Sequence, residues 1–326
     1  MAQPIDRQYW VNVHTEGAPW TLRINDLKVL TNTSTKQYSM SYPISTNLKE
    51  GLNTVSLIFA PLKEDETGFL KDPDTGEYLQ GPREDFWVDV SIEAIDTRTQ
   101  AKERIETLQL RYDMETGELV DYPATPVNRN GERTHQTEHL RTRGEFQVNS
   151  PDRLVIGNGR SLDAERVDMD FRVLDPIPDF HWADEATPLK DTPQLRHELR
   201  QAYQRLHRLY ERGDSEAILR EGKAVWDRAG LLMAGGKNAR EYIASLPFAS
   251  QTVGLRQEPD GPRLESLRLA DDPADDTLEF MGNGRLVRIL PSPLVWSYPD
   301  QSDKDTVPVV FYRTAAGEWR IATVAA

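Results

Sequence analysis

The sequence predicts two successive domains, an all-β sandwich followed by an α+β domain. Its 326 residues suffice for about two domains, because single domains commonly hold roughly 100–200 residues. Segments of alternating apolar and polar residues dominate up to about residue 175, whereas apolar residues recur at helical spacing after Thr192. We therefore place the domains at 1–175 and 192–326, joined by a linker at 176–191 that contains several prolines.

The first domain is predicted to consist of short strands. Phe86–Ile95 is the clearest, because its apolar residues occupy every second position, as in a strand with one buried face. Turn-forming pairs such as Asn25-Asp26 and Asn158-Gly159 separate the segments. The other candidate strands are 9–13, 20–24, 28–30, 52–59, 104–112, 146–148, 154–156 and 167–174. Many short strands with Gly, Pro and Asn between them are typical of a β-sandwich.

Polar stretches interrupt this series. Pro61–Arg83 and Tyr122–Arg143 hold few apolar residues, so we expect both to be long surface loops, where binding residues often lie. Phe180, His181 and Trp182 stand out in the predicted linker as bulky rings among polar residues. We expect them to anchor the linker to one domain.

The second domain is predicted to begin with three helices. Thr192 can cap the first helix and Pro193 suits its first position. Gly213 is expected to end that helix. The second helix is predicted to begin after Asp214 and to end at Gly230. The third is predicted to begin at the capping-box pair Asn238 and Glu241 and to end at Pro247. The candidate strands that follow are 252–256, 264–269, 277–281, 285–290, 294–298, 307–312 and 319–324.

Helices followed by antiparallel strands, with a closing hairpin formed by Val309–Arg313 and Gly317–Ala322, resemble the nuclear transport factor 2-like superfamily over about residues 190–326. The resemblance implies a cone-shaped α+β domain. That superfamily contains ketosteroid isomerases, dehydratases and non-catalytic binding modules, so the fold leaves the function open. The aromatic residues expected to line the pocket of such a cone, where they do not join its core, are Trp226, Tyr242, Trp296 and Tyr312.

Composition excludes several classes of protein. The 39 Lys and Arg against 53 Asp and Glu give a net charge of −14, which argues against a nucleic-acid partner, because phosphate contacts need clustered basic residues. The absence of cysteine excludes disulfides, thiolate metal sites and thiol nucleophiles. No window is apolar over the ~20 residues that a membrane-spanning helix needs. We expect no cofactor and no metal.

The favoured function is non-catalytic protein binding. A β-rich domain joined to a small α+β domain in an acidic, cysteine-free chain resembles bacterial toxin-immunity or accessory proteins. Such a protein would neutralise a toxin with a basic surface, because opposite charges speed encounter. This hypothesis expects a filled cone and an acidic concave surface. The carboxylates proposed to contact the partner are Asp271, Asp272, Asp275, Asp276, Asp300, Asp303 and Asp305.

Two alternatives stay open. An isomerase- or dehydratase-type enzyme would use the cone as a pocket, with an Asp or Glu of raised pKa beside a Tyr. A carbohydrate-binding module would expose coplanar rings, for which Trp10, Trp20 and Trp87 are the candidates.

A zinc-site motif and the compartment complete the predictions. His135–His139 has the pattern HxxEH, a zinc motif that requires a helix, but its polar surroundings favour a solvated loop.

The segment Met1–Asp6 has neither a basic nor an apolar region, so it is not a signal peptide. Ala2-Gln3-Pro4 resembles the start of a secreted protein after cleavage. We expect a periplasmic protein if a signal peptide has been removed from this sequence, and a cytoplasmic protein is the alternative.

Overall fold

Antiparallel β-sheet makes up most of the regular structure. The computed structural model describes residues 5–65, 68–121, 146–150, 152–156, 160–299 and 304–324. The strands of the first half are β1 (Arg7–Glu16), β2 (Trp20–Ile24), β3 (Leu27–Asn32), β4 (Tyr38–Pro43), β5 (Gly51–Phe59), β6 (Glu64–Asp65), β7 (Gly68–Phe69), β8 (Trp87–Asp96), β9 (Lys102–Tyr112), β10 (Leu119–Asp121), β11 (Phe146–Val148), β12 (Asp152–Ile156) and β13 (Arg160–Val173).

These strands form two sheets that face each other. One sheet has the order β10-β9-β8-β1-β4, and the other has the order β11-β13-β5-β2-β3, with β12 also paired to β13. Alternate residues of both sheets point into one shared core, such as Val11 and Val90 from the first sheet and Leu22 and Leu57 from the second. The predicted sandwich-like arrangement of the first half is therefore confirmed.

Two details of the first half differ from expectation. Tyr38–Pro43 was not predicted as a strand, because as an edge strand it carries serines between its larger residues and buries little. Part of Pro61–Arg83 is regular, since β6 and β7 form a small hairpin within it. The other predicted loop, Tyr122–Arg143, lies outside the described residues.

The second half contains short helices and two smaller sheets. Its elements are α1 (Pro193–Glu211), α2 (Ser215–Glu221), α3 (Lys223–Met233), α4 (Ala239–Ala244), α5 (Pro247–Thr252), β14 (Arg263–Leu264), β15 (Thr277–Met281), β16 (Leu286–Leu290), β17 (Val295–Ser297), β18 (Lys304–Thr306), β19 (Val309–Arg313) and β20 (Trp319–Val324). The sheet orders are β15-β16-β19-β20 and β14-β17-β18.

Helix α1 packs against the four-stranded sheet. Its buried residues share a core with Val287 and Phe311 of that sheet. The hydroxyl of Tyr203 donates to the carbonyl of Val309 at 2.8 Å and accepts the backbone N–H of Ile289 at 3.3 Å. This side chain therefore joins α1 to two neighbouring strands.

The predicted helix caps are confirmed. The side chains of Thr192 and Asp214 accept the N–H of Leu195 and Ala217, each at 3.1 Å. Asn238 and Glu241 form the reciprocal capping box.

Two glycines have roles that differ from the prediction. The second helix breaks at Gly222, where an added Cβ would lie 2.6 Å from the Trp226 ring, and α3 then continues to Met233. Gly230 therefore lies inside α3 and does not end the helix. Glycine is needed at that position because a Cβ would lie 2.0 Å from the carbonyl oxygen of Lys237.

The predictions after α4 were partly wrong. Pro247 ends α4 as expected, and it is also the first residue of a further helix, α5, a position that suits the fixed φ of proline. The predicted strand at 252–256 is absent from the described structure, because α5 and a turn occupy this stretch. The strand predicted at 264–269 is reduced to Arg263–Leu264, and β18 was not predicted.

Residues 176–191 pack between the two halves of the molecule. Phe180 and Trp182 stack with ring centroids 5.0 Å apart. Both are buried in one cluster with Leu27 of the sandwich and with Met281 and Val310 of the second half. The expectation that these rings anchor to one domain is wrong, because they contact both.

A buried ion cluster also spans this junction. The carboxylate of Glu279 on β15 lies 2.6 Å from the guanidinium of Arg288, and its side chain is 4 % exposed. Two cations of the sandwich approach the same carboxylate, Arg23 at 3.5 Å and Lys28 at 3.9 Å. Arg23 also donates to the carbonyl of Phe280 at 3.2 Å. Charge and backbone bonding therefore tie the sandwich to the second half.

Candidate functional site

A cavity of about 420 Å³ lies at the junction of the two halves. This volume falls within the range of small-molecule pockets, roughly 300–1,000 Å³. The second half contributes the inner faces of α3, α4 and α5 and the end of β20, and the sandwich contributes β3, the end of β4 and the turn after it. Phe180, His181 and Trp182 form part of the same wall. Both halves therefore complete one enclosure.

Apolar side chains form much of the wall. Val225, Ile243, Phe248 and Val253 come from the helices, and Val324 comes from the sheet. The helices face these residues inward because their polar residues occupy the opposite, solvent-facing side. Such a surface favours an apolar ligand.

Three tyrosine side chains add polar atoms to this apolar wall: Tyr42 from β4, Tyr210 from the end of α1 and Tyr242 from α4. Burial raises the pKa of each, and the proximity of Tyr242 raises the pKa of Tyr42 further. Their hydroxyls are therefore neutral at physiological pH. Within the described part of the chain, none of these hydroxyls has a hydrogen-bond partner.

Arg228 brings a positive charge to the same wall. Its guanidinium lies over the Phe180 ring at 4.9 Å and donates to the carbonyls of Leu48, Pro178 and Asp179. Burial lowers the pKa of Arg228 to about 10, although the charge of Asp179 partly opposes this. Its Nε is buried without a partner among the described residues. Carbonyl oxygens orient this cation but do not neutralise it.

Lys28 and His181 complete the ionisable groups of the cavity. Burial lowers the pKa of Lys28, and Glu279 opposes that shift. Burial also lowers the pKa of His181, so the imidazole is neutral near pH 7. Its Nε2 lies 3.0 Å from the carbonyl of Ile321, to which it donates in the neutral form. The remaining ring nitrogen, Nδ1, is then an acceptor.

The cavity can be compared with both sequence hypotheses. The protein-binding hypothesis expected a filled cone, and the observed cavity lies at the junction of the two halves and is partly open to solvent. The enzyme alternative expected a Tyr beside an Asp or Glu of raised pKa. Tyrosines are present, but no carboxylate side chain lines the cavity among the residues that the structure describes.

The four aromatic candidates separate into three positions. Trp226 and Tyr242 line the junction cavity. Trp296 lies behind the wall in the core, with its ring 5.1 Å from Tyr210. Tyr312 does not line the cavity, and its hydroxyl donates to Glu185 at 3.0 Å.

The acidic candidates also differ in their surroundings. Asp271, Asp272 and Asp275 are exposed, and Asp272 accepts the N–H of Ala274 within its own turn. Asp276 is buried, with its carboxylate 2.5 Å from the guanidinium of Arg200, so it is committed within the chain. The remaining candidates belong to another segment: Asp305 is exposed on β18, whereas Asp300 and Asp303 lie outside the described residues.

The three tryptophans proposed for carbohydrate stacking do not share a surface. Trp20 is buried in the sandwich core and donates to the hydroxyl of Thr15 at 2.7 Å. Trp10 and Trp87 lie on one sheet, but Trp87 pairs with Glu16. At ~3.3 Å per residue, Trp10 is roughly 20 Å along the strand from that pair. These side chains therefore form no stacking platform.

The metal hypothesis finds no support in the described structure. The motif His135–His139 lies outside the described residues. Elsewhere in the described ranges, no group of three or more His, Asp or Glu side chains is placed to hold a metal ion.

None of the described helices combines the length and the apolar character that crossing a membrane requires.

Tyr42, Tyr210 and Arg228 were missed by sequence reasoning. Arg228 could have been noticed in the sequence, because a charged residue on the apolar face of a helix is unusual. It lies on α3, three residues after Val225 and next to Ala229. Tyr42 lies on the edge strand that was not predicted. Tyr210 lies in the last turn of α1, where an aromatic residue at helical spacing indicates core packing and not a cavity.

Comparison with known proteins adds no relative. No protein-family model, no curated protein and no solved structure matches this chain.

Proposed function

We propose that this protein binds a small, mainly apolar molecule in the junction cavity. The observation that carries the proposal is the set of tyrosine hydroxyls, from Tyr42, Tyr210 and Tyr242, that line an apolar enclosure without partners in the described chain. Each hydroxyl carries one proton that it can donate to an acceptor. A ligand with acceptor atoms would supply the missing partners.

The proposal includes a nuclear transport factor 2-like fold for the second half. Helices α1 to α5 precede all the described strands of the second half, and α1 packs on the antiparallel sheet β15-β16-β19-β20. A cavity bounded by helices and sheet is the place where a cone of this type would hold a ligand. The element order and the cavity support this assignment.

An uncharged fluorescent probe, N-phenyl-1-naphthylamine, tests the proposed function on the full chain. We expect saturable binding at one site, because apolar surface drives such a probe into an enclosed cavity. Ala249→Phe, on the wall contributed by α5, should fill the cavity and weaken binding by about tenfold or more. Fluorescence titration measures both affinities.

The matched control is Ala244→Phe, because Ala244 is exposed on α4 and does not line the cavity. It should bind the probe like the unsubstituted protein. The proposed function fails if the unsubstituted protein does not bind the probe, or if the two variants weaken binding equally.

A second candidate function is the binding of a basic protein, such as a bacterial toxin, by an immunity or accessory protein. The acidic turn at 271–276 favours it. Arg196 donates to the carbonyls of Pro273, Ala274 and Asp276, so α1 holds the turn in place. Three exposed carboxylates, from Asp271, Asp272 and Asp275, are thereby presented on an ordered segment of a chain with a net charge of −14.

Neutralising this turn tests the second candidate. With Asp271, Asp272 and Asp275 all replaced by Asn, a partner captured at low salt should be lost or bound about tenfold more weakly. A control variant with Glu77, Glu84 and Glu115 replaced by Gln removes the same charge from exposed positions in the first half. Quantitative pull-down at several salt concentrations is the measurement. Equal retention by both variants would rule out this turn as the contact.

A further inference from the structure

The head group of the ligand can be inferred from the charges of the cavity, provided that the proposed function holds. Arg228 and Lys28 line the wall, and no carboxylate does so among the described residues. Arg228 donates to carbonyls alone in that part of the chain. Lys28 shares the carboxylate of Glu279 with Arg23 and Arg288. A cationic enclosure thus lies inside a chain whose net charge is −14.

Donor groups lie on the same wall. Tyr42 comes from the sandwich and Tyr242 from α4, and both line the cavity. Burial raises the pKa of both, so each hydroxyl keeps the proton that it would donate. A tyrosine hydroxyl can donate one hydrogen bond, and bonds to a charged acceptor are stronger than bonds to a neutral one.

The apolar part of the wall constrains the rest of the ligand. Val225, Ile243 and Val253 offer no hydrogen-bonding side-chain atoms. A small inorganic anion would leave this surface uncovered, whereas an acyl chain or a ring would cover it.

We infer that the junction cavity takes a small amphipathic carboxylate, with its carboxylate near Tyr42, Tyr242 and Arg228 and its apolar body among the aliphatic side chains of the helices. The two hydroxyls and the cation together supply donors for both carboxylate oxygens. Because the head group would contact both halves, its affinity depends on the sandwich as well as on the helices.

Displacement of N-phenyl-1-naphthylamine by octanoate, octan-1-ol and octylamine at pH 7.5 tests this inference. The three compounds share one chain and differ in head group. Octanoate should displace the probe at a concentration about tenfold lower than octanol, and octylammonium should be the weakest competitor. The double variant Tyr42→Phe with Tyr242→Phe should bind octanoate about tenfold more weakly than the unsubstituted protein and should bind octanol with nearly the same affinity.

The outcomes separate the two proposals. Probe binding with octanol equal to or better than octanoate would overturn the inference and leave the proposed function standing. An octanoate preference that persists in the double variant would overturn the assignment of the two tyrosines. Absence of probe binding to the unsubstituted protein would defeat the proposed function itself.

Discussion

Replacing Glu279 with alanine is expected to destabilise the protein by about 3–5 kcal/mol, the range for breaking a buried ion pair by removing one partner. Its carboxylate is 4 % exposed and lies 2.6 Å from Arg288, whose side chain is 3 % exposed. The substitution would leave the Arg288 guanidinium buried without its counter-charge. Arg23 and Lys28 would lose the same carboxylate, so the junction between the halves would weaken as well.

Urea unfolding at pH 7 measures this effect, with Glu216→Ala as the matched control. Glu216 pairs with Arg240, but the side chains are 75 % and 51 % exposed, and exposed pairs contribute little to stability. If Glu279→Ala is no more destabilising than Glu216→Ala, the cluster is not a structural element of the junction.

The contribution of Glu279 should also depend on pH. Burial would raise the pKa of its carboxyl, but the charges of Arg288, Lys28 and Arg23 outweigh burial and hold the pKa below the ordinary 4.5. A carboxyl with a lowered pKa in the folded state stabilises the protein above its unfolded pKa and loses that effect as the pH falls. The difference in unfolding free energy between the unsubstituted protein and Glu279→Ala should therefore narrow below about pH 4.5.

Local sequence signals predicted the elements of this fold well. Alternation located most strands, and the caps at Thr192, Asp214 and Asn238 are present in the structure. These signals depend on neighbouring residues alone. Gly230 was misinterpreted because its reason is a contact with Lys237, and a steric requirement of that kind looks the same in sequence as a helix end.

The candidate site was predictable only in part, because it is made by packing between distant segments. Trp226 and Tyr242 could be proposed from the helices and the resemblance. Tyr42 and Lys28 reach the cavity from the sandwich, and His181 reaches it from the connecting segment. No periodicity within one domain indicates that a residue faces another domain. A cation on an apolar helix face, such as Arg228, is the one local signal that would have pointed there.

Replacing Trp182 with alanine is expected to cost about 3–5 kcal/mol, as for other buried aromatic residues. Trp182 is 6 % exposed and stacks on Phe180. Its ring also covers Gly282, where an added Cβ would lie 3.3 Å away. The same cluster contains Leu27 of the sandwich, so the truncation would leave a void between the halves, which the surrounding backbone can close only partially.

Trp87→Ala supplies the comparison, because Trp87 is only half-buried on the sandwich and donates to Glu16 at 3.0 Å. Trp87→Ala should lower the free energy of unfolding by clearly less than Trp182→Ala. Thermal and urea unfolding of both variants, with limited proteolysis of residues 176–191, measures the difference. Trp182→Ala should be cleaved faster in this segment than Trp87→Ala, because its loss loosens the packing of the segment against both halves. If both variants lose the same free energy of unfolding and are cleaved at the same rate, residues 176–191 only connect the two halves, and other contacts hold the cavity walls.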